Sequence, residues 1–176
     1  MIRNKDRNAV RIIELPACKM VWSGVCADGS NTGESEQLRR FNAWGSKQDK
    51  LRQDRFYARD FMWWDFETNG PAWGFAVTEI PKDTGGYAVI DFPGGLYAAV
   101  NYVSDMTEDA ASTKNAVSAY ESIKKWVKKS GCFAMDESEG RRIMWQFINP
   151  QAAATAMGYS QQDMYVPIRI KGAGEK

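Results

Sequence analysis

The feature that most constrains the fold of this chain is a short motif that occurs twice. Residues 10–26 read VRIIELPACKMVWSGVC, and residues 87–105 read YAVIDFPGGLYAAVNYVSD. When Pro93 is aligned with Pro16, both copies show an aliphatic residue, an acid, an apolar residue, proline and a small residue, followed by an apolar run. A repeat of this length that is present only twice predicts two related half-domains that share a core, rather than a repeat array.

Each copy reads as a strand that is interrupted at its proline, because proline lacks the amide hydrogen that a sheet requires. A polar segment with helical spacing follows each copy. The first helix is predicted at about 36–50, with Ser35 as its N-cap, and the second at about 107–129, with Gly131 in the left-handed cap position. Aromatic and alternating segments then predict further strands, which are residues 55–66, 73–80, 141–148 and 163–171.

The predicted fold class is α+β. The order strand, helix, strand, strand occurs twice, and two such βαββ modules would form one antiparallel sheet with both helices on one face and a ligand cleft at the pseudo-twofold on the other. We expect a single domain over 10–171, with modules at about 10–80 and about 87–171 and a disordered N-terminus at 1–9. Segment 149–162 is either a short helical insertion or a loop over the cleft, and as a loop it would gate that cleft.

The chain of 176 residues contains no histidine. This excludes His-based catalytic triads and His-ligated zinc or haem. The three cysteines form no CxxC pair, and they fit free thiols in a reducing compartment. We therefore predict no metal and no cofactor, and any catalysis would depend on carboxylates, tyrosine, lysine or thiol.

The charge pattern favours no large charged partner. The net charge is +1, no apolar run reaches the length of a membrane helix, and no secretory segment is evident. Four lysines near the end of the second helix are better explained as a solvated face that complements the helix dipole than as a nucleic-acid site. We expect a cytoplasmic protein with no direct nucleic-acid binding and no membrane contact. Seven Trp, seven Tyr and eight Phe instead favour a pocket for a flat, apolar ligand.

Two phrases carry a resemblance to a known family. The first is FPGGLYAAV at 92–100, and the second is DMYVPIRIK at 163–171, in which an acid is followed by Tyr165 and then by Pro167. Together with the paired βαββ modules, they resemble the gyrase-inhibitor-like small-molecule-binding domain, also found as the effector-binding domain of multidrug-responsive transcription regulators. The resemblance covers about 10–171. The closing acid of that family is usually glutamate, and here it is the shorter Asp163.

The resemblance implies a bacterial, stand-alone domain whose pocket is lined by aromatic rings and holds a buried carboxylate. Such a pocket binds a range of flat, apolar, cationic compounds, as multidrug-binding domains do. Some members of the family are hydrolases of cyclopropane-bearing toxins, so an enzyme is the first alternative. A protein inhibitor of DNA gyrase is the second. A transcription-regulator or gyrase partner therefore remains open, as does the question of whether the ligand is turned over.

The candidate site follows from these residues, because a carboxylate within aromatic rings holds a cation by charge and by the ring quadrupole together. The predicted ligand-binding residues are Trp63, Trp73, Tyr97, Trp145, Asp163 and Tyr165. For each tryptophan the alternative is a core position, for Asp163 an exposed strand start, and for Tyr97 a place beneath the helix. Trp63 and Trp64 are adjacent, so only one of them can face the cleft. The candidate acids at strand ends are Asp65, Glu67 and Glu79, and no catalytic residue is assigned.

Overall fold

The computed structural model describes residues 10–26, 35–48, 60–105 and 109–172, with the side chains of 109–112 left aside. Within these ranges the strands are β1 (Arg11–Leu15), β2 (Cys18–Trp22), β3 (Asp60–Asp65), β4 (Gly70–Val77), β5 (Ala88–Phe92), β6 (Gly95–Asp105), β7 (Phe133–Met135), β8 (Met144–Phe147) and β9 (Tyr159–Ile170). The helices are α1 (Glu36–Gly45), α2 (Asp109–Ser130) and α3 (Gln151–Met157). The N-terminal segment 1–9 lies outside the described residues, as do 55–59 of the predicted strand 55–66 and 107–108 of the predicted second helix.

The chain divides into two compact units whose boundaries are the two aligned prolines. Unit 1 comprises Met1–Pro16 and Gly94–Lys176, and unit 2 comprises Ala17–Pro93. Strand β1 therefore belongs to unit 1, where it pairs with β6, and β5 belongs to unit 2, where it pairs with β2. The strand pairs β1–β6, β2–β4, β2–β5, β3–β4, β6–β9, β7–β9 and β8–β9 are all antiparallel. The predicted α+β class is confirmed.

In unit 1, the strand order is β1-β6-β9-β8, and β7 also pairs with β9. Helix α2 packs on one face of this sheet, where Ile123 and Val127 meet Met164, Val166 and Ile168 in a buried cluster. Because side chains alternate along a strand, the intervening residues of β9 point to the opposite face. That second face carries the candidate site.

Strand β9 contains Pro167, a residue that a central strand rarely accepts. It is accommodated where one neighbouring strand ends and another begins. The pairing of β8 with β9 reaches Tyr165, and the pairing of β7 begins at Ile168. The Pro167 carbonyl accepts a hydrogen bond from the Asp136 amide at 3.0 Å. Strand β7 is not among the strands predicted from the sequence, so the structure adds it to the predicted pattern.

In unit 2, the strand order is β3-β4-β2-β5, and α1 packs on one face through Phe41 against Val21 and Val77. The Ser35 hydroxyl accepts a hydrogen bond from the Leu38 amide at 3.5 Å, as expected for the N-cap. The helix ends at Gly45 and not near residue 50, so the predicted length is too great. A Cβ at Gly45 would lie 2.4 Å from Cε2 of Phe75, which shows how closely the helix end approaches β4.

The segment 149–162 contains helix α3, so the helical alternative is the correct one. Its C-terminal cap is Gly158, with φ at 77°, and β9 begins at the next residue. The closing strand is thus longer than the predicted 163–171. No helix of the described residues is long and apolar enough to cross a membrane.

Candidate functional site

Three of the predicted ligand-binding residues lie together on the face of unit 1 opposite α2. The register pairs Tyr97 with Pro167 and Asn101 with Asp163, and it places Tyr165 beside Ala99. We call this surface the carboxylate face and define it by the residues Arg11, Tyr97, Asn101, Gln146, Asp163 and Tyr165. For Tyr97, the alternative of packing beneath the helix is therefore wrong.

Asp163 lies in the middle of β9 and is only 5% exposed, so it is not an exposed acid at a strand start. Its Oδ2 forms an ion pair with Nη2 of Arg11 at 2.6 Å, and its Oδ1 accepts a hydrogen bond from Nδ2 of Asn101 at 3.3 Å. The hydrogen bond to Asp163 raises the pKa of Arg11 against the effect of its partial burial. The buried carboxylate is thus charge-compensated by a residue that sequence reasoning did not identify.

Of the two tyrosines, Tyr165 lies on the same face of β9 as Asp163, and Tyr97 contacts the Tyr165 ring. Their ring centroids are 6.5 Å apart and the rings meet edge to face at 82°. The Tyr165 hydroxyl donates to Oε1 of Gln146 at 3.0 Å. Burial, and then the negative charge of Asp163, raise the pKa of Tyr165 to about 12, so the phenol stays protonated at neutral pH. Burial also raises the pKa of Tyr97, although Arg141 opposes the shift.

Trp145 does not join these residues. It pairs with Met164, which belongs to the α2 side of the sheet, whereas its neighbour Gln146 pairs with Asp163. Adjacent residues of a strand point to opposite faces, so Trp145 is directed away from the carboxylate face. The prediction that it shares a site with Asp163 does not fit this register.

The two tryptophans of unit 2 that were predicted to bind a ligand, Trp63 and Trp73, lie on opposite faces of their own sheet. Trp73 packs with the cluster around Phe41 on the α1 side. Trp63 is buried on the other side, where it stacks on Trp22 with ring centroids 6.1 Å apart and an interplanar angle of 11°. Alternation along β3 directs Trp64 away from Trp63, as predicted. A Cβ at Gly74 would lie 3.0 Å from the Trp63 ring, so the small residue makes room for the indole.

The three predicted strand-end acids show no catalytic arrangement. Asp65 accepts hydrogen bonds from the Thr68 amide at 2.9 Å and from the Thr68 hydroxyl at 2.7 Å, which stabilises the hairpin turn. Glu67 and Glu79 are exposed. Among the described residues, no cluster of three or more His, Cys, Asp or Glu side chains could hold a metal ion.

One acid that sequence reasoning missed is Asp60, at the start of β3. Burial raises its pKa, and its own backbone and the Trp73 indole N–H offset part of this effect. The signal in the sequence is weak, since a single aspartate before an aromatic run gives no sign of its burial. Asp60 shares the α1 side with Phe75 and Trp73, because it pairs with Phe75 in the register.

A groove of about 340 Å³ lies between α2 and β6 of unit 1. Its polar lining on the α2 side comes from both elements and includes Tyr102, Asn115, Ser118 and Ser122. Asn115 donates to the Val103 carbonyl at 2.9 Å, so part of this lining is used to hold the helix against the strand.

Several solved structures have an architecture similar to that of this chain. The EcmrR C-terminal domain matches with a TM-score of 0.60 at 11% identity, over 91% of this chain and 96% of that chain. SAV2435 bound to tetraphenylphosphonium matches with a TM-score of 0.54 at 10% identity, over 93% and 94%. A hydrolase from Listeria innocua matches with a TM-score of 0.54 at 15% identity, over 92% of both chains.

The chain shares the fold of these proteins. This likeness is consistent with the gyrase-inhibitor-like fold that the two sequence phrases resemble. At such low identities, the likeness concerns the fold and not the side chains of the site. No protein-family model matches the sequence, and no curated protein matches it either.

Proposed function

We propose that this chain binds small, apolar, cationic aromatic molecules at the carboxylate face of unit 1. The observation that carries the proposal is Asp163, a carboxylate that is 5% exposed and shares one face of the sheet with Tyr165, whose ring meets the Tyr97 ring edge to face. A buried carboxylate requires a positive partner, because an unpaired charge in a protein interior is strongly destabilising. Arg11 is its cationic partner in the structure, and a ligand cation is chemically equivalent to that partner.

The surroundings of the carboxylate favour a large, diffuse cation over a small, hydrated one. Tyrosine rings offer apolar area together with a negative ring face, and both attract an aromatic cation. The fold likeness to a protein that binds tetraphenylphosphonium supports the same ligand class. Because Tyr97 is 0% exposed and Tyr165 is 6% exposed, a ligand that contacts these rings must displace side chains.

The test compares two ions of nearly the same shape and opposite charge, tetraphenylphosphonium and tetraphenylborate. We expect isothermal titration calorimetry to show at least about tenfold tighter binding of the cation to the wild type, which corresponds to about 1.4 kcal/mol. Asp163→Asn should remove most of this preference. Equal affinity for the two ions, or no binding of the cation, would overturn the proposal.

A matched control is available in unit 2. Asp91 forms an ion pair with Lys19, as Asp163 does with Arg11, but the Asp91 side chain is 82% exposed. Asp91→Asn changes the net charge of the protein by the same amount as Asp163→Asn. We expect it to leave the affinity for both ions unchanged, because an exposed charge is solvated and screened.

The fold likeness to a Listeria innocua hydrolase favours one other function, the opening of a strained or electrophilic small molecule. Asp163 is the acid that would activate water, since Asp65 is engaged by Thr68 and Glu67 and Glu79 are exposed. Incubation of the protein with a cyclopropane-bearing electrophile, followed by mass spectrometry, tests this function. Product that forms with the wild type and not with Asp163→Asn would support turnover, and an unchanged compound would count against it.

A further inference from the structure

The ion pair between Arg11 and Asp163 joins a half-exposed cation to a buried anion. The side chain of Arg11 is 51% exposed, and that of Asp163 is 7% exposed. Breaking the ion pair therefore has different consequences for the two side chains. Arg11 can leave the pair and be solvated at once, whereas Asp163 would remain in the interior without a counter-ion.

The position of Arg11 in the sheet allows its side chain to leave Asp163. Strand β1 is at the end of the strand order of unit 1, and within the described residues β6 is the strand with which it pairs. Most of its residues are exposed or half-buried, and Ile12 is among the exposed large apolar residues. Arg11 reaches Asp163 across β6, where Ala99 and Asn101 are the residues on that face. A small residue at position 99 leaves the path of the guanidinium open.

Neutral hydrogen-bond donors near Asp163 do not compensate the negative charge of its carboxylate. Arg11 provides this compensation. Asn101 is neutral, and its Nδ2 is shared between Oδ1 of Asp163 and the Gln162 carbonyl, at 3.3 and 3.0 Å. The Tyr165 hydroxyl donates to Gln146. Arg11 is therefore the contact of Asp163 that carries compensating charge, and like Asn101 it is exposed to solvent.

We propose that Arg11 is a resident counter-ion that competes with a cationic ligand for Asp163, and that this competition sets the affinity and charge selectivity of the site. The inference rests on the proposed function and assigns its regulation to one side chain. A ligand cation binds Asp163 only in the fraction of molecules whose Arg11 has left it. The apparent dissociation constant therefore equals the intrinsic constant divided by that fraction.

The decisive variant is Arg11→Met, which keeps a long apolar side chain and removes the competing charge. We expect it to bind tetraphenylphosphonium at least about tenfold tighter than the wild type in calorimetry. Without Arg11 paired to Asp163, every molecule can bind the cation. Tetraphenylborate should bind no tighter. The matched control is Lys19→Met, which removes a cation from the Lys19–Asp91 pair and should leave both affinities within about twofold.

The double variant Arg11→Met, Asp163→Asn tests whether the effect passes through the carboxylate. If Arg11 acts only by competing for Asp163, the gain in cation affinity disappears in the Asp163→Asn background. A gain that persists in the Asp163→Asn background would overturn the inference. Arg11 would then affect binding through the net charge of the protein or through access to the site, and not by pairing with Asp163.

A measurement on the wild type covers the case in which Arg11→Met does not fold. The Nε signal of Arg11 in nitrogen-15 spectra, assigned by comparison with Arg11→Lys, reports whether the guanidinium is held. We expect exchange protection of this signal to decrease when tetraphenylphosphonium is added. Protection that is unchanged at saturating cation would overturn the inference.

The outcomes separate this inference from the proposed function. If the wild type prefers the cation but Arg11→Met binds it no tighter, the proposed function stands and the competition is wrong. If neither protein binds the cation, the proposed function fails, and the inference fails with it. Tighter binding of tetraphenylborate to the wild type than to Arg11→Met, without cation preference, would instead identify Arg11 as an anion contact and overturn both.

Discussion

The guanidinium carbon of Arg141 lies 4.3 Å from the centre of the Tyr97 ring. Arg141 is buried, with 5% of its side chain exposed, and it forms an ion pair from Nε to Oδ2 of Asp136 at 3.0 Å. Its Nη2 donates to the Leu96 carbonyl at 2.6 Å. One side chain thus fixes the ring of Tyr97, the strand that carries it and the loop after β7. Unlike the half-exposed Arg11, this second arginine has a buried side chain, and it holds Tyr97 of the carboxylate face in place.

Arg141→Met should destabilise the protein strongly. The substitution removes the cation from the Tyr97 ring and leaves the Asp136 carboxylate with hydrogen bonds from Ser138 but without its cationic partner. We expect a loss of about 3 kcal/mol in the free energy of unfolding. Urea denaturation at neutral pH measures this loss. Arg39→Met is the control, because Arg39 pairs with Glu36 on the exposed side of α1, and we expect a change below about 0.5 kcal/mol. Similar losses for the two variants would contradict the structural role of Arg141.

Alkaline pH should weaken the protein through Tyr165. The pKa of this tyrosine is raised to about 12 in the folded protein, compared with about 10 in an unfolded chain. A raised pKa means that the protonated phenol contributes stability that is fully present below about pH 10 and is lost as the pH rises towards 12. Urea unfolding of the wild type and Tyr165→Phe between pH 8 and 11 tests this. Their difference in stability should shrink above about pH 10, and a constant difference would show that the phenol titrates normally.

Gly45→Ala should destabilise α1 although alanine favours helices. Helix propensity alone predicts a gain of about 1 kcal/mol from this change. The added Cβ would lie 2.4 Å from Phe75, so we expect a net loss of about 1 to 3 kcal/mol from overpacking. The double variant with Phe75→Leu is the check, because the smaller side chain makes room. If Gly45→Ala is equally harmful in both backgrounds, the contact with Phe75 is not the cause.

Asp60→Asn should stabilise the protein at neutral pH. Burial raises the pKa of Asp60, so its folded form favours the neutral acid, and that contribution is lost as the pH rises through the folded pKa. Asparagine keeps the shape and an accepting oxygen for the Trp73 indole but never ionises. We expect the variant to unfold at a higher urea concentration than the wild type at pH 7, with a smaller advantage at pH 4. A variant that is less stable at pH 7 would indicate that the charge itself is needed.

The ends of helices and strands were predicted correctly where a single residue, such as proline or glycine, determines the local backbone. Pro16 and Pro93 each interrupt a strand, as expected from the missing amide hydrogen, and Gly131 follows the end of α2 with φ at 75°. The helix end at Gly45 was predicted too late, because the limit is a contact with Phe75 in a distant strand. Strand β7 was missed because it is three residues long and owes its place to β9.

The candidate site was predictable only in part, because its members depend on register. Asp163 and Tyr165 are two residues apart on one strand, so sequence alone places them on one face. Whether Gln146 or Trp145 joins them is decided by the pairing of β8 with β9, and no pattern in β8 reveals this pairing. Arg11 is more remote still, since it is two strands away and comes from the opening segment. The cleft between the modules and its occupant remain predictions.

The division of the chain at Pro16 and Pro93 also determines the order in which the strands of the two units are synthesised. On the ribosome, all four strands of unit 2 emerge before β6 does. Strand β1 must wait for roughly 80 residues until its partner is made, which takes about 4 to 16 seconds at ordinary elongation rates. During that interval Arg11 has no Asp163 to pair with, since β9 is made later still. Among the described strands, β9 is therefore the latest to be made, and it supplies the charge that pairs with Arg11 of the earliest, β1.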